Sequence, residues 1–317
     1  MRVIPIQLPL RNLIRPPLAV FGIILGFLII SSCSSRETPV PTSSPKPKEL
    51  ELIRDQTYHT DGLKEHKLDI YLPTGNNGPF PTILMIHGGS GKKMDLIYWG
   101  QILSKTGYAA VSIDHRQWPD YKYPVHLEDA FCALAWIHSS AKTYDFDTEN
   151  IIVMGHSAGG TLAALLGVID NPSPFLEDCP HTLPDNDWIQ GVIPFTGIFD
   201  YQTVIGESPS LDSYAIGLLG GTSQELPQIW REASAVSSVD GSDPPFLLIH
   251  GQDDQNIPAS QSREFAAILE AAGVEVELLI IPDAGHNQII NSSESSDAVK
   301  NFIIGIIRKA NQPSTES

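Results

Sequence analysis

From about residue 51 the chain alternates short apolar runs with longer stretches whose apolar positions recur at helical spacing. LIRDQTYHT (52–60) and HKLDIYLP (66–73) are extended segments with an Asp61-Gly62 turn signal between them, which predicts an antiparallel pair opening a sheet. TILMIH (82–87), YAAVSID (108–114), IIVMG (151–155), IQGVIPF (189–195), PFLLIHG (245–251) and VEVELLIIP (274–282) follow. Most lack polar alternation, as expected of parallel strands covered on both faces. Between them lie helical patterns at 96–107, 125–144, 157–170, 260–273 and 298–310. In the second of these Leu127, Phe131, Leu134 and Ile137 mark one face. This strand–helix alternation predicts an α/β fold with a doubly wound, mostly parallel sheet. The connections at 171–188 and 201–240 are too long for plain loops. Both are expected to form a small helical cap, with short helices at LDSYAIGLLGG and LPQIWREASAV.

The first residues are different. Arg2, Arg11 and Arg15 precede the apolar run LAVFGIILGFLII at 18–30. That run is shorter than the ~20 residues needed to cross a bilayer, so 1–32 reads as a signal peptide. Ile30-Ser31-Ser32-Cys33 resembles the bacterial lipobox, which implies lipidation of Cys33 and a membrane anchor. The Ser- and Pro-rich stretch 33–49 then reads as a tether, and 50–312 as the folded α/β domain. Ser34 after the cysteine favours the outer membrane or surface of a bacterial envelope. The net charge of −17 sets nucleic-acid partners aside. In an oxidising compartment Cys132 and Cys179 are permitted to pair, but Cys132 sits in an apolar helical pattern and is expected to be a small unpaired core residue. No C-x-x-C or H-E-x-x-H occurs, so neither metal nor cofactor is expected.

Candidate chemistry centres on GHSAGG (155–160), between the strand IIVM and a small-residue helix. A sharp strand-to-helix turn leaves little room beside its central residue, and Gly155 and Gly159 relieve that crowding around Ser157. A serine hydroxyl needs a base. His59 and His66 lie in the opening strands and are expected to be exposed, and His156 reads as packing or pocket lining. His286 follows the last strand, at the sheet edge where open α/β folds build sites. A triad also needs an acid, and Asp253 and Asp254 in HGQDDQNIP (250–258) are equally placed by composition.

These motifs resemble those of α/β-hydrolases, in particular serine esterases and lipases of the hormone-sensitive-lipase-like and feruloyl-esterase-like (BD-FAE) group. The HGQDDQNIP stretch is similar to the family's H-G-x-x-D-x-x-V-P, which assigns the acid to Asp254 and leaves Asp253 to cap the turn. IHGGSG (86–91) is similar to the HGGG oxyanion motif, with Gly89 and Ser90 in place of its second and third glycines. The resemblance makes the amides of Gly89, Ser90 and Ala158 the oxyanion donors. Asp114, Arg116, Pro124, Asp129, Ala133, Leu134 and Trp136 match a further segment read as scaffold beneath that loop, where His115 and Gln117 replace a Tyr and a Leu. FTGIFD (195–200) matches another. The resemblance covers residues 65–310 and implies an α/β-hydrolase fold with Ser157, Asp254 and His286 as triad. It implies cleavage of small-molecule carboxylic esters through an acyl-enzyme. An amidase or peptidase using the same triad is the alternative, and a non-catalytic surface-binding lipoprotein the alternative of another class.

Overall fold

A computed structural model describes residues 2–3, 50–75, 77–185 and 188–310. The segment 4–32, Cys33 and the tether to residue 49 lie outside the described residues, as do 311–317. Among the described residues no helix is long and apolar enough to cross a membrane.

Nine strands form one sheet in the order β1-β9-β8-β7-β6-β4-β5-β3-β2. The two-residue β1 (Arg2–Val3) pairs parallel with β9 at one edge. At the other edge β2 (Glu51–Thr57) and β3 (Lys67–Leu72) form the expected antiparallel hairpin, and β3 runs antiparallel to β5 (Ala109–Ile113). The central strands β4 (Phe80–Ile86), β6 (Phe146–His156), β7 (Gly191–Phe195), β8 (Phe246–Gly251) and β9 (Val276–Ile281) are mutually parallel.

Their unbroken hydrophobicity follows from double coverage. Alternate strand residues, such as Leu84, Val153, Val192 and Leu248, pack with α2 (Val125–Tyr144), α3 (Ala158–Val168) and α6 (Ser260–Ala272). Their neighbours Met85, Met154, Ile193 and Ile249 pack with α1 (Ile97–Lys105) and α7 (Ser293–Ala310) on the opposite face. With a side-chain period of two, a strand sandwiched in this way has no polar face to show.

A third cluster gathers Tyr201, Val204, Leu211, Leu218 and Trp230, from the connection holding α4 (Pro209–Leu219) and α5 (Pro227–Glu232), around Ile257. This is a small cap with its own core. The connection at 171–188 behaves otherwise. Its Phe175, Leu176, Cys179 and Trp188 pack on the main core. Cys179 is bonded to Cys132 of α2, with Cα atoms 5.6 Å apart, which corrects the expectation of an unpaired Cys132. Helical burial and pairing are compatible here because Cys132 faces the segment that crosses above it. His66 is a second correction: it is 1% exposed rather than open to solvent, held between Asp61 and Asp129 at 2.9 Å each.

Candidate active site

Ser157 stands between β6 and α3 with φ 57° and ψ −120°, in a region L-residues avoid. The turn is closed by the Ser157 amide donating to the Phe195 carbonyl at 2.9 Å. A Cβ at Gly155 would stand 2.1 Å from the Gly159 carbonyl oxygen, and one at Gly159 would stand 2.1 Å from that of Ile86. Backbone cannot yield there, so both positions require glycine.

The structure brings the three candidate residues together. His286 Nε2 lies 2.9 Å from Ser157 Oγ, and His286 Nδ1 lies 2.8 Å from Asp254 Oδ2. Asp254 Oδ1 accepts from the amides of Asn256 (2.8 Å) and Ile257 (3.0 Å). Thr196 Oγ1 donates to Asp254 Oδ2. Burial pushes this carboxyl upward, but hydrogen bonds from His250, His286, Thr196 and the Ile257 amide outweigh it and hold it well below the usual carboxylate range. Asp254 is therefore an ionised, fully positioned partner for the imidazole. Asp253 is exposed, and it is its amide, donating to the Ala284 carbonyl at 2.9 Å, that braces the loop, not a capping carboxylate.

Three residues support this line; of these, His156 was read as packing or pocket lining and does line the cavity, while His250 and Thr196 had no assigned role. His250 is buried, with Nδ1 2.7 Å from Ser262 Oγ and Nε2 3.0 Å from the Ile257 carbonyl. A carbonyl only accepts, so Nε2 carries the proton and the ring ties the acid loop to α6. Thr196, at φ 48°, sits directly after β7 and aims its hydroxyl at Asp254. His156 donates from Nε2 to the His286 carbonyl at 3.0 Å. Burial, above all, takes His156 down to about 4, so it stays neutral and acts as a brace for the loop of the base. Only FTGIFD offered a hint, placing a threonine directly after a strand of the same edge.

The glycine loop makes a turn at 88–91, closed by the Gly91 amide on the Gly88 carbonyl at 3.1 Å. Ser90 occupies its third position at φ 60°, where turns of this kind favour glycine. Ser90 is exposed and does not line the catalytic cavity, whereas Gly89 and Ala158 do. Among the described residues neither the Gly89 nor the Ala158 amide has a protein acceptor. Of the three amides named from the motif, Gly89 and Ala158 thus belong to residues of the cavity lining and Ser90 does not. The two departures from the family pattern both brace this loop. His115 stacks on His87 with ring centres 4.4 Å apart, and Gln117 Nε2 donates to the Gly91 carbonyl at 3.1 Å. Beneath it Asp114 accepts the Lys93 amide at 2.8 Å, and Arg116 holds Asp129 through Nε (2.9 Å) and a terminal nitrogen (2.7 Å). This is the expected scaffold.

The cavity above Ser157 measures about 580 Å³. Asp95, Asn256, Asn287 and Asn291 give it a polar side, while Leu211 and Tyr214 of the cap close the other. None of the described residues of 171–188 lines it, so among the described residues only one of the two expected cap segments covers the site. His59, Asp61 and His66 bring possible metal-ligand atoms within 4.8 Å of one another, but none of the three lines this cavity.

The profile of the BD-FAE family matches residues 68–269. Esterase LipC of Mycobacterium tuberculosis is 29% identical over 215 residues, covering 66% of this chain and 53% of that protein. Esterase LipQ of the same organism is 28% identical over 263 residues, covering 78% and 60%. The chain thus spans between half and two thirds of the length of these curated relatives. A solved structure described as a truncated form of carbohydrate esterase from gut microbiota superposes with a TM-score of 0.69 at 23% identity, covering 85% of this chain and 99% of that one. With more than half its length inside the matched profile, the chain belongs to the BD-FAE family, and it has the α/β-hydrolase fold.

Proposed function

We propose that the protein is a serine hydrolase that cleaves carboxylic esters. The observation that carries this is the unbroken line Ser157 Oγ, His286, Asp254 at 2.9 and 2.8 Å, opening into a cavity beside the Gly89 and Ala158 amides. Ser157 Oγ attacks the acyl carbon while its proton passes to His286 Nε2. The Gly89 and Ala158 amides, the latter at the start of α3, stabilise the oxyanion. Collapse expels the alcohol, which takes the proton from His286. Water, deprotonated by the same imidazole, then releases the acid and restores Ser157. Asp254 remains ionised throughout and stabilises the imidazolium. Ser157→Ala is expected to lower kcat on a short p-nitrophenyl ester by about 10⁴–10⁶. Undiminished turnover by that variant overturns the assignment. Matched ester and anilide substrates separate an esterase from an amidase by the ratio of kcat/KM.

The same reading extends to placement. The lipobox-like Cys33 after a short apolar run supports a lipid-anchored protein of the bacterial envelope, and the Cys132–Cys179 bond fits an oxidising compartment. Cys33→Ala is expected to move the protein from the membrane to the soluble fraction of its host. Retention of the variant in the membrane argues against the anchor.

A further inference from the structure

A second, much smaller cavity of about 30 Å³ adjoins the first and shares Gly89, Ala158, Thr161 and Tyr214 with it. If the esterase reading holds, an acyl group whose oxygen faces the Gly89 and Ala158 amides has this space beside its carbonyl carbon. The walls are aromatic and aliphatic, from Trp118, Tyr201, Leu162 and Leu218. The polar groups among them are unusual. Among the described residues, Gln117 Oε1, Tyr123 OH and both ring nitrogens of His126 are buried without a hydrogen-bond partner, and all three residues line this cavity. His126 is only 7% exposed. Buried groups of this kind are paired in nearly all native structures, and a cluster of them around one space marks what that space receives.

Their chemistry can be read. Gln117 is oriented by its Nε2 bond to the Gly91 carbonyl, so the atom left over is an acceptor. Burial pushes the Tyr123 phenol well up, so it keeps its proton and can donate. Burial first, then His115, takes His126 down to about 4, so it is neutral, with one N–H and one lone pair. The set therefore offers donors and acceptors together, as a hydroxyl group requires. Charge has no counterpart there, because neither an acid nor a base lines the space in ionised form. The volume holds only a few non-hydrogen atoms, so the group that fits within it is short.

We propose that this cavity is the acyl subsite and that it selects short hydroxyacyl groups, with His126 as the specificity-determining residue that reads the hydroxyl. The inference rests on the esterase reading above, and the experiment separates the two. Wild-type protein is assayed on ethyl lactate against ethyl propionate, on ethyl 3-hydroxybutyrate against ethyl butyrate, and on p-nitrophenyl acetate. The hydroxyl is expected to raise kcat/KM by about 10²-fold in at least one pair, since a site built to bond a hydroxyl discriminates strongly against its absence. His126→Leu and Tyr123→Phe are each expected to collapse that ratio towards one. Both esters of a pair are measured on one preparation, so the ratio does not depend on how much of a variant folds. Ratios near one in the wild type, or a preference that survives both substitutions, overturn the subsite. Absence of Ser157-dependent acetate hydrolysis overturns the esterase reading and the subsite with it.

Discussion

Residues 171–188 and 201–240 are both long excursions from the same sheet, one between α3 and β7 and the other between β7 and β8. In sequence they look alike. In the fold the first is pinned: Cys179 is bonded to Cys132, and Phe175 stacks on Phe131 with ring centres 5.4 Å apart. The second is gathered around its own core of Tyr201, Leu218 and Trp230 with Ile257 of the acid loop, and only its last stretch, at Ala235, Val236 and Val239, packs on the main core. Among the described residues only the second presents side chains, Leu211 and Tyr214, to the catalytic cavity. Length marks an insertion. What it packs against decides whether it is part of the wall of a site or part of the scaffold.

The largest effect that can break this contrast is on stability. Replacing both cysteines with serine removes a cross-link between positions 47 residues apart and is expected to lower unfolding free energy by about 2–4 kcal/mol. Denaturant unfolding under non-reducing conditions measures it. kcat/KM is expected to be unchanged at a temperature where the variant is folded, because the pinned segment has no wall in the cavity. A loss of activity without unfolding would show that the two insertions are not separable. The converse substitution lies in the cap. Tyr214→Ala is expected to change kcat/KM between acyl groups of different size by about 10- to 100-fold, roughly the worth of a pocket contact, with a small shift of Tm. An unchanged acyl profile would remove the cap from the site.

Acid is expected to act oppositely on the two sides. His87, His126 and His156 are held neutral around the site, mainly by burial, with His87 at about 3 and the other two at about 4. Their folded values lie below the ordinary 6.5, so the stability they confer is present above pH 6.5 and is lost as pH falls towards 4. His66 differs: burial opposes its charged form, but Asp129 and Asp61 overcome that and raise it. Its contribution is full below pH 6.5 and is lost as pH rises through the raised value. Between pH 7.5 and 5 the His126→Leu variant is therefore expected to lose less stability than wild type, by on the order of 1 kcal/mol, and His66→Gln to lose more. Parallel curves for all three proteins would show that these rings do not titrate as their surroundings dictate.

Much of this was legible in the chain because local chemistry demanded it. Strands buried on both faces have to be uniformly apolar, and β5, β7 and β8 are buried throughout. Ser157 was marked by glycines that the backbone of its own turn requires. His286 followed because it sits directly beyond a strand end, whereas position alone left Asp253 and Asp254 equal and only the resemblance to the family motif chose Asp254. Less legible were roles made by distant partners. Thr196 meets Asp254 across 58 residues and His156 meets the His286 carbonyl across 130, and nothing near either residue signals the partner. The disulfide was misread for the same reason, since a cysteine in an apolar helix looks alike whether or not a second one lies above it.

The central claim is that Ser157 is a nucleophile activated by His286 and Asp254. Covalent labelling tests it most directly. The protein is incubated with a fluorophosphonate and read by intact mass and peptide mapping, beside Ser157→Ala and Asp254→Asn. The account predicts one adduct per chain on the peptide bearing Ser157, none on Ser157→Ala, and much slower labelling of Asp254→Asn. An unlabelled wild type, or an adduct that persists in Ser157→Ala, would contradict it.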